Sequence, residues 1–275
     1  MSRDAEDHGR NLERVYGPLT WTLYEQLDVS SNPRSPDWLR GLAAGLLPPD
    51  GSVLDAGCRD AAHLIQLARD LPGITGVGVE PVPVHVRAAE EAVVAAGLSD
   101  RVKIILGEIA TVAGQGRTFD LVWCRDVLEQ VADLPGAVAD LARLTGPAGL
   151  LVVFTTVTTE LLAPAEAALL GHHLGNVAAN LSRDAVEAAF TAAGLATVAT
   201  HEIGTEWREW SEERGRPVSK ALLRLARLRR DRARFVAAHG AEIVAHVEAN
   251  LHWEAYQFLG KLLPIVYVLR PEPDH

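Results

Sequence analysis

Residues 52–61 read SVLDAGCRDA, a short apolar run that ends in a carboxylate and leads directly into a glycine. The first part has the length and aliphatic content of a buried strand, and the glycine marks the turn that ends it. Further runs of this kind follow, and most of the segments between them have the apolar spacing of amphipathic helices. Strands alternating with helices are typical of βαβ units. The predicted fold class is therefore α/β, with a mostly parallel sheet covered on both faces.

The spacing sets approximate boundaries for these elements. Strands are predicted at residues 52–56, 74–79, 102–106, 119–123, 149–156, 196–203 and 264–269. Helices are predicted at residues 60–70, 83–96, 133–144 and 182–193, joined in one place by a weakly patterned connection at 107–116. Residues 1–14 are charged and aperiodic, so a loosely held tail is expected there.

Composition excludes several classes of protein. The 275 residues include 26 Lys and Arg against 36 Asp and Glu, which gives a net charge of −10 and disfavours a broad nucleic-acid-binding face. No stretch is long and apolar enough to span a membrane, and the N-terminus lacks the apolar core of a signal peptide. With only Cys58 and Cys124, a disulfide scaffold is excluded. We expect a soluble cytoplasmic protein with reduced thiols and neither a nucleic-acid nor a membrane partner, and a homodimer is compatible with the sequence.

Carboxylates follow four successive predicted strands. They are Asp55, Glu80, Glu108 and Asp126. In an open α/β sheet, ligands bind beyond the carboxyl ends of the strands, and an acidic residue about 20 residues after the first glycine accepts hydrogen bonds from ribose hydroxyls. Glu80 lies at that spacing from Gly57, and Glu108 is placed to meet an adenine edge. Any one of these carboxylates could simply be solvated, but their recurrence at four strand ends favours a ligand site.

Three stretches together resemble a known family. Residues 53–58 (VLDAGC), 76–80 (GVGVE) and 119–131 (FDLVWCRDVLEQV) occur in the order and spacing of class I S-adenosylmethionine-dependent methyltransferases. The resemblance covers about residues 50–203 and 262–270. It implies a Rossmann-like seven-stranded sheet whose last strand, around Tyr267, is antiparallel. It also implies S-adenosylmethionine as cofactor, S-adenosylhomocysteine as product, and methyl transfer to an O, N or C atom of a small-molecule acceptor.

The same resemblance implies a division of the chain and a set of cofactor-binding residues. A helical lid is expected at residues 1–47, the cofactor-binding core at 48–204 and 262–275, and a helical insertion that completes the lid at 205–261. The predicted cofactor-binding residues at the matching positions are Asp55, Gly57, Cys58, Glu80, Pro81, Glu108, Ile109, Cys124 and Arg125, and Arg59 of the same loop is a further candidate. Of these, the loop beginning at Asp55 would underlie the methionine part, Glu80 would hold the ribose, and Glu108 with Ile109 would meet the adenine.

The loop after the first strand departs from the family pattern. Family members usually carry glycines two and four residues after Gly57, where this chain has Arg59 and Ala61. Glycine there permits a positive φ and a close approach of the backbone to a ligand. Either Arg59 contacts the carboxylate of the methionine part, or it pairs with Asp60 or Asp126 and only shapes the loop. A nicotinamide-type G-x-G-x-x-G fingerprint is excluded because Arg59 and Ala62 replace two of its glycines.

Candidate acceptor-site residues lie in the less regular segments. His172 or His173 could act as a general base near neutral pH, although paired histidines on a surface loop often have no role. Trp207, Arg208 and His252 are candidates for contact with the acceptor, with helix packing as the alternative. No dense metal-ligand spacing is present, so no metal site is predicted. The arginine-rich stretch at 224–234 is either a solvated helix face or a site for an anion.

Two other functions remain open from the sequence. A protein with this fold could catalyse a non-methylating reaction, such as a cyclisation or isomerisation, with the cofactor only structural. It could also be a non-catalytic binding protein that has lost the cofactor.

Overall fold

The computed structural model describes residues 3–272, so the two residues before this range and the last three of the predicted core lie outside it. The described chain forms two compact units, residues 3–33 and residues 34–272. The first contains helices α1 (Arg3–Val15) and α2 (Pro18–Leu27). The charged stretch predicted to be a loose tail is therefore helical. Arg14 in its last turn complements the negative end of the helix dipole.

The second unit is built on one seven-stranded sheet. Its strands are β1 (Ser52–Ala56), β2 (Thr75–Glu80), β3 (Val102–Leu106), β4 (Phe119–Arg125), β5 (Thr145–Thr158), β6 (Leu195–Glu202) and β7 (Leu262–Pro271). Their order across the sheet is β3-β2-β1-β4-β5-β7-β6. The first five strands are parallel, whereas β7 runs antiparallel to both β5 and β6. The predicted Rossmann-like sheet with an antiparallel last strand is confirmed.

Eleven helices accompany this sheet in the described part of the second unit. They are α3 (Asp37–Leu46), α4 (Ala62–Asp70), α5 (Pro83–Ala95), α6 (Ile109–Ala113), α7 (Leu134–Leu144), α8 (Pro164–Leu174), α9 (Arg183–Ala192), α10 (Glu206–Gly215), α11 (Pro217–Arg230), α12 (Arg232–His239) and α13 (Ala241–Phe258). A 3₁₀ turn at Ala178–Leu181 precedes α9. The connection at 107–116 thus contains a short helix, and residues 206–258 are almost continuously helical.

Alternating side chains of the central strands enter two apolar clusters. Val122 of β4 packs with side chains of α6, α7 and α9 on one face of the sheet. Leu121 and Trp123 of the same strand pack with α3, α4 and α5 on the other face. Because α3 contributes the fully buried Leu39 to this second cluster, part of the segment predicted as lid belongs to the core of the fold.

The strand order reverses between β1 and β4, and this reversal positions the candidate site. The chain proceeds from β1 outward to β3 on one side and then returns to build β4 and β5 on the other. The register pairs Ala56 of β1 with Val79 of β2 and with Cys124 of β4. The loops that follow these three strands therefore leave the sheet side by side, which creates a crevice at its carboxyl edge.

None of the helices among residues 3–272 has both the length and the apolar character needed to cross a membrane.

Candidate active site

The loop after β1 keeps a glycine-type backbone although two of its residues are not glycine. Gly57, Arg59 and Ala61 have φ angles of +76°, +50° and +56°. A Cβ at Gly57 would lie 2.4 Å from Cγ2 of Val127, so only glycine fits there without displacing the loop after β4. The other two residues adopt the left-handed conformation at a cost of about 1–2 kcal/mol each. The loop therefore has the positive φ angles that glycine permits, at the expense of backbone strain.

Arg59 contributes to the site through its backbone. Its N–H donates to Oε2 of Glu80 at 3.0 Å. Its side chain is exposed, and among the described residues its guanidinium has no ion pair and no hydrogen bond. The predicted alternative of a pairing with Asp60 or Asp126 is therefore absent from the described geometry. The guanidinium is available to a ligand.

Glu80 is held in place at the end of β2. Its side chain is buried, and besides the Arg59 bond its Oε1 accepts from the backbone N–H of Val82 at 3.0 Å and lies 3.4 Å from Nδ1 of His85. A carboxylate offers about four acceptor positions, so capacity remains for hydroxyl donors. This carboxylate is oriented before any ligand arrives.

Asp55 is a buried carboxylate next to this loop. It is 4% exposed, and burial raises its pKa from 3.8 to about 7, although the neighbouring Arg125 opposes the shift. No hydrogen bond to this side chain is seen within residues 3–272. Its ionisation in the folded protein therefore occurs near neutral pH, and a cationic ligand would favour the charged form.

The remaining predicted cofactor residues differ in exposure. Pro81 is exposed, and so is Glu108, which caps the start of α6. Ile109 is buried in the first apolar cluster. Both thiols are free and buried, and burial raises the pKa of Cys58 and of Cys124, which is fully enclosed in that cluster. These thiols are protonated and unreactive at neutral pH.

A cavity of about 410 Å³ opens beyond β4 and β5. Its walls come from the ends of these strands and from the helices of the later segments. The lining residues are Pro36, Arg125, Asp126, Glu129, Gln130, Phe154, Leu174, Asn176, Gly204, Trp207, Arg208, Ser211, His246, Asn250, Trp253, Gln257 and Pro264. The volume suits a small molecule, and the lining combines aromatic faces with charges of both signs.

The strand-end charges of this cavity lie where water is scarce. Burial raises the pKa of Asp126 to about 6, against the lowering effect of Arg125 and Arg208. Asp126 lines the cavity and keeps an exposed surface, whereas Glu129 beside it is buried. Arg125 lies over the rings of Trp123 and Phe154, at 5.5 and 5.9 Å, and its buried Nε has no partner among the described residues.

Trp207 and Arg208, two of the predicted acceptor contacts, both line the cavity. The ring of Trp207 stacks on Phe154 with centroids 4.8 Å apart and planes at 23°. Nε of Arg208 donates to Oε1 of Gln257 on α13 at 2.7 Å. A bidentate pairing of Arg34 with Glu206 secures the segment before α3 to the first turn of α10. Together these contacts place α10 as one wall of the cavity.

The predicted histidines do not line it. His172 and His173 occupy the last turn of α8 rather than the expected surface loop. His252 is a buried residue of α13, where its Nδ1–H donates to the Glu248 carbonyl oxygen of the same helix and its Nε2 accepts from Arg229 of α11. The catalytic role of the two α8 histidines stays a prediction.

The cavity also contains Glu129, a residue of the 119–131 stretch for which no role was predicted. It lines the cavity and is 3% exposed. Its position four residues after the end of β4 was visible, but spacing along a loop does not show which way a side chain turns. The sequence did not predict that Phe154 lines the cavity, because an apolar residue in a strand usually belongs to the hydrophobic core. No cluster of three or more His, Cys, Asp or Glu suited to a metal ion exists among the described residues.

The strain in the first loop predicts a stability difference between two variants. The free energy of unfolding of Arg59→Gly should be about 1 kcal/mol higher than that of Arg59→Ala, because alanine retains the Cβ that opposes a positive φ. Urea denaturation measures both. Gly97→Ala is the reverse control, since Gly97 has φ +68° and open space around it, and this variant should lose stability. Equal stability of the two Arg59 variants would contradict the strain.

The raised pKa of Asp55 predicts a pH-dependent stability. The pKa of Asp55 is 3.8 in the unfolded chain and about 7 in the folded chain. The stability that its protonated form contributes is therefore complete below pH 3.8 and is lost as the pH rises through about 7. Relative to Asp55→Asn, the wild type should lose up to about 1.4 kcal/mol per pH unit in this window. Urea denaturation from pH 4.5 to 8 measures the difference, and parallel profiles for the two proteins would refute it.

Comparison with known proteins agrees with this geometry. A family model described as a methyltransferase domain matches residues 33–200. A ubiquinone biosynthesis O-methyltransferase from Methylocella silvestris is 32% identical over 103 residues, which cover 38% of this chain and 39% of the relative. The chain matches only about two fifths of the length of its curated relatives.

Solved structures show the same fold. A SAM-dependent methyltransferase from Thiobacillus denitrificans, crystallised with S-adenosylhomocysteine, has a TM-score of 0.58 and 22% identity, covering 93% of this chain and 99% of that one. The [4+2]-cyclase SpnF has a TM-score of 0.67 and 19% identity, covering 86% and 82%. At these identities the likeness concerns the fold alone. Because the family model spans more than half of its residues, however, the chain belongs to the methyltransferase domain family.

Proposed function

We propose that the protein is an S-adenosylmethionine-dependent methyltransferase that acts on a small molecule. The observation that carries the proposal is the buried Glu80 carboxylate, held by two backbone N–H groups beside a loop of glycine-type conformation. A ribose needs such a fixed acceptor, and a methionine chain needs backbone that can approach closely. Both requirements meet at the reversal of strand order.

The residues at this edge fit the cofactor. Glu80 would accept hydrogen bonds from the ribose hydroxyls, with Pro81 beside it, and Glu108 and Ile109 would border the adenine. The loop from Gly57 through Cys58 would underlie the methionine part, and Asp55 supplies a nearby negative charge. When bound, the cofactor supplies an electrophilic methyl group carried on a sulfonium.

Arg59 would hold the carboxylate of the cofactor's methionine part. Its guanidinium has no partner among the described residues and lies on the same loop. A guanidinium pairs with a carboxylate through two parallel hydrogen bonds, which gives both strength and orientation. At a position where family members usually carry glycine, this chain would thus have a side chain that contacts the cofactor.

The cavity beyond β4 and β5 would hold the acceptor. Phe154 and Trp207 offer a stacked aromatic wall, and Arg208 offers a cation that makes no ion pair with a described residue. A pocket of this kind accelerates methyl transfer by orienting the acceptor and excluding water. Cytoplasmic location and a homodimer remain expectations from the sequence.

The non-methylating alternative has less support. Three curated relatives are an O-, a C- and an N-methyltransferase, whereas the cyclase shares only the fold with this chain. Methyl-labelled S-adenosylmethionine separates the two, because a cyclase or isomerase would leave the label on the cofactor.

Calorimetric titration tests the cofactor assignment. The wild type should bind both S-adenosylmethionine and S-adenosylhomocysteine, and Glu80→Ala should weaken both at least tenfold by removing charged hydrogen bonds to the ribose. Glu90→Ala, which removes an exposed carboxylate on α5, is the matched control and should bind like the wild type. If the wild type binds neither compound, the proposed function is refuted. If Glu80→Ala binds both with full affinity, the assignment of Glu80 to the ribose is refuted.

A second titration tests Arg59. Arg59→Gly should weaken S-adenosylmethionine about tenfold or more while leaving adenosine affinity within twofold, because only the full cofactor carries the carboxylate. An unchanged ratio of the two affinities would assign Arg59 a purely structural role.

A further inference from the structure

Glu129 has one carboxylate oxygen fixed by the protein and the other left without a partner. Its Oε1 accepts from Oγ1 of Thr155 at 2.9 Å and from the backbone N–H of Thr156 at 2.6 Å. Its own carbonyl oxygen accepts from the N–H of Val177 at 2.8 Å. Both the backbone and the side chain of this residue are therefore tied to neighbouring segments.

The second oxygen, Oε2, is buried and has no hydrogen-bond partner among the described residues. A buried acceptor without a donor costs about 1–3 kcal/mol, and native proteins seldom leave one unpaired. Since Glu129 lines the acceptor cavity, a donor on a bound molecule would complete it. Glu129 therefore combines one oxygen that the protein holds in place with one that has no described donor.

The charges around Glu129 keep it able to exchange a proton near neutral pH. Burial, followed by the negative charge of Asp126, raises the pKa of Glu129 to about 7. The other charged or titratable groups of the cavity are Arg125, Arg208 and His246. A carboxylate with such a pKa is matched to general base catalysis, whereas an ordinary glutamate is too weak a base.

The walls of the cavity indicate the shape of the acceptor. Phe154 and Trp207 are stacked, Trp253 also lines the cavity, and the buried Nε1 of Trp207 lacks a described partner. Aromatic faces of this kind hold planar rings by stacking. A planar molecule with a polar substituent would satisfy both the faces and the unpaired polar atoms.

We propose that the acceptor is an aromatic compound with a hydroxyl group, and that Glu129 removes the hydroxyl proton during methyl transfer. This inference rests on the proposed function. An oxygen lone pair forms the new bond to the methyl carbon as the carbon–sulfur bond breaks, and the electrons of that bond stay on sulfur. The hydroxyl proton passes to the Glu129 carboxylate, which later releases it to water.

A hydroxyl group fits this arrangement better than an amine. A neutral amine already offers its lone pair and needs no base before attack. An ammonium group would pair with Glu129 and Asp126 and would keep its lone pair bound to a proton. A phenolic hydroxyl becomes a strong nucleophile only as it loses its proton, so a fixed base in a dry cavity accelerates its reaction.

Two matched probes test the role of Glu129. The first, 2-naphthol, must lose a proton to react, whereas 2-naphthalenethiol is largely ionised at neutral pH and needs no base. With S-adenosylmethionine, Glu129→Gln should transfer methyl to 2-naphthol about 10²–10⁴-fold more slowly than the wild type. Its transfer to the thiol should change less than threefold. Asp140→Asn removes another buried carboxylate, one paired with Arg143 on α7 away from the cavity, and should spare both reactions.

Binding without cofactor supplies a second readout. Quenching of tryptophan fluorescence should show that the wild type prefers 2-naphthol to 2-methoxynaphthalene at least tenfold, because only the former donates a hydrogen bond to Oε2. In Glu129→Gln this preference should fall severalfold, since a neutral amide oxygen accepts less strongly than a carboxylate.

Four results would overturn the inference. One is an equal loss of both reactions in Glu129→Gln, which would show a structural role, and another is no loss of either reaction. The third is wild-type transfer to the thiol but not to 2-naphthol. The fourth is transfer to neither probe by the wild type. Cofactor titration of the same proteins separates these results from failure of the proposed function, because Glu129→Gln should bind S-adenosylmethionine like the wild type.

Discussion

The candidate site depends on the reversal of strand order at β1. Because β1 pairs with β2 on one side and β4 on the other, the loops after these strands leave the sheet together and enclose a crevice. Gly57 and Cys58 donate their N–H groups to the Val79 carbonyl oxygen at 2.9 and 3.1 Å, which turns the first loop sharply across the end of β2. That turn brings the N–H of Arg59 to Glu80, and the close fit of Gly57 against Val127 fixes the neighbouring loop.

Charge burial follows from the same constraint. Parallel strands that end at a common edge bring Asp55 and Glu129 into buried surroundings, and the more exposed Asp126 lies beside them. Burial accordingly raises the pKa of each of these groups, although Arg125 partly offsets the effect at the two aspartates. Burying these carboxyl groups lowers the stability of the folded chain at neutral pH, and it does so at the edge where the cofactor and acceptor are proposed to meet. The strained φ angles of Arg59 and Asp126 lie at the same edge, as is common for functional sites.

Local pattern was sufficient for most of the architecture. The predicted bounds of β1 and β3 agree with the structure, and the seven strands occur in the expected order along the chain. Errors arose where tertiary contacts extend an element: β5 begins at Thr145, four residues before its prediction, because its start pairs with Phe119 of β4. Glu80 was identified from its spacing to Gly57, since that spacing reflects one strand, one helix and one turn.

The sequence by itself determined the alternation of strands and helices, the carboxylates at the strand ends and the family of the fold. These features are local, because each depends on the period of apolar residues or on one turn. Only the tertiary structure decided that Arg59 keeps a glycine-type conformation, that His252 of α13 meets Arg229 of α11, and that Glu129 lines the cavity with one carboxylate oxygen unpaired. Such facts depend on which distant segments meet, and the reach and direction of a side chain cannot be read from its position along the chain.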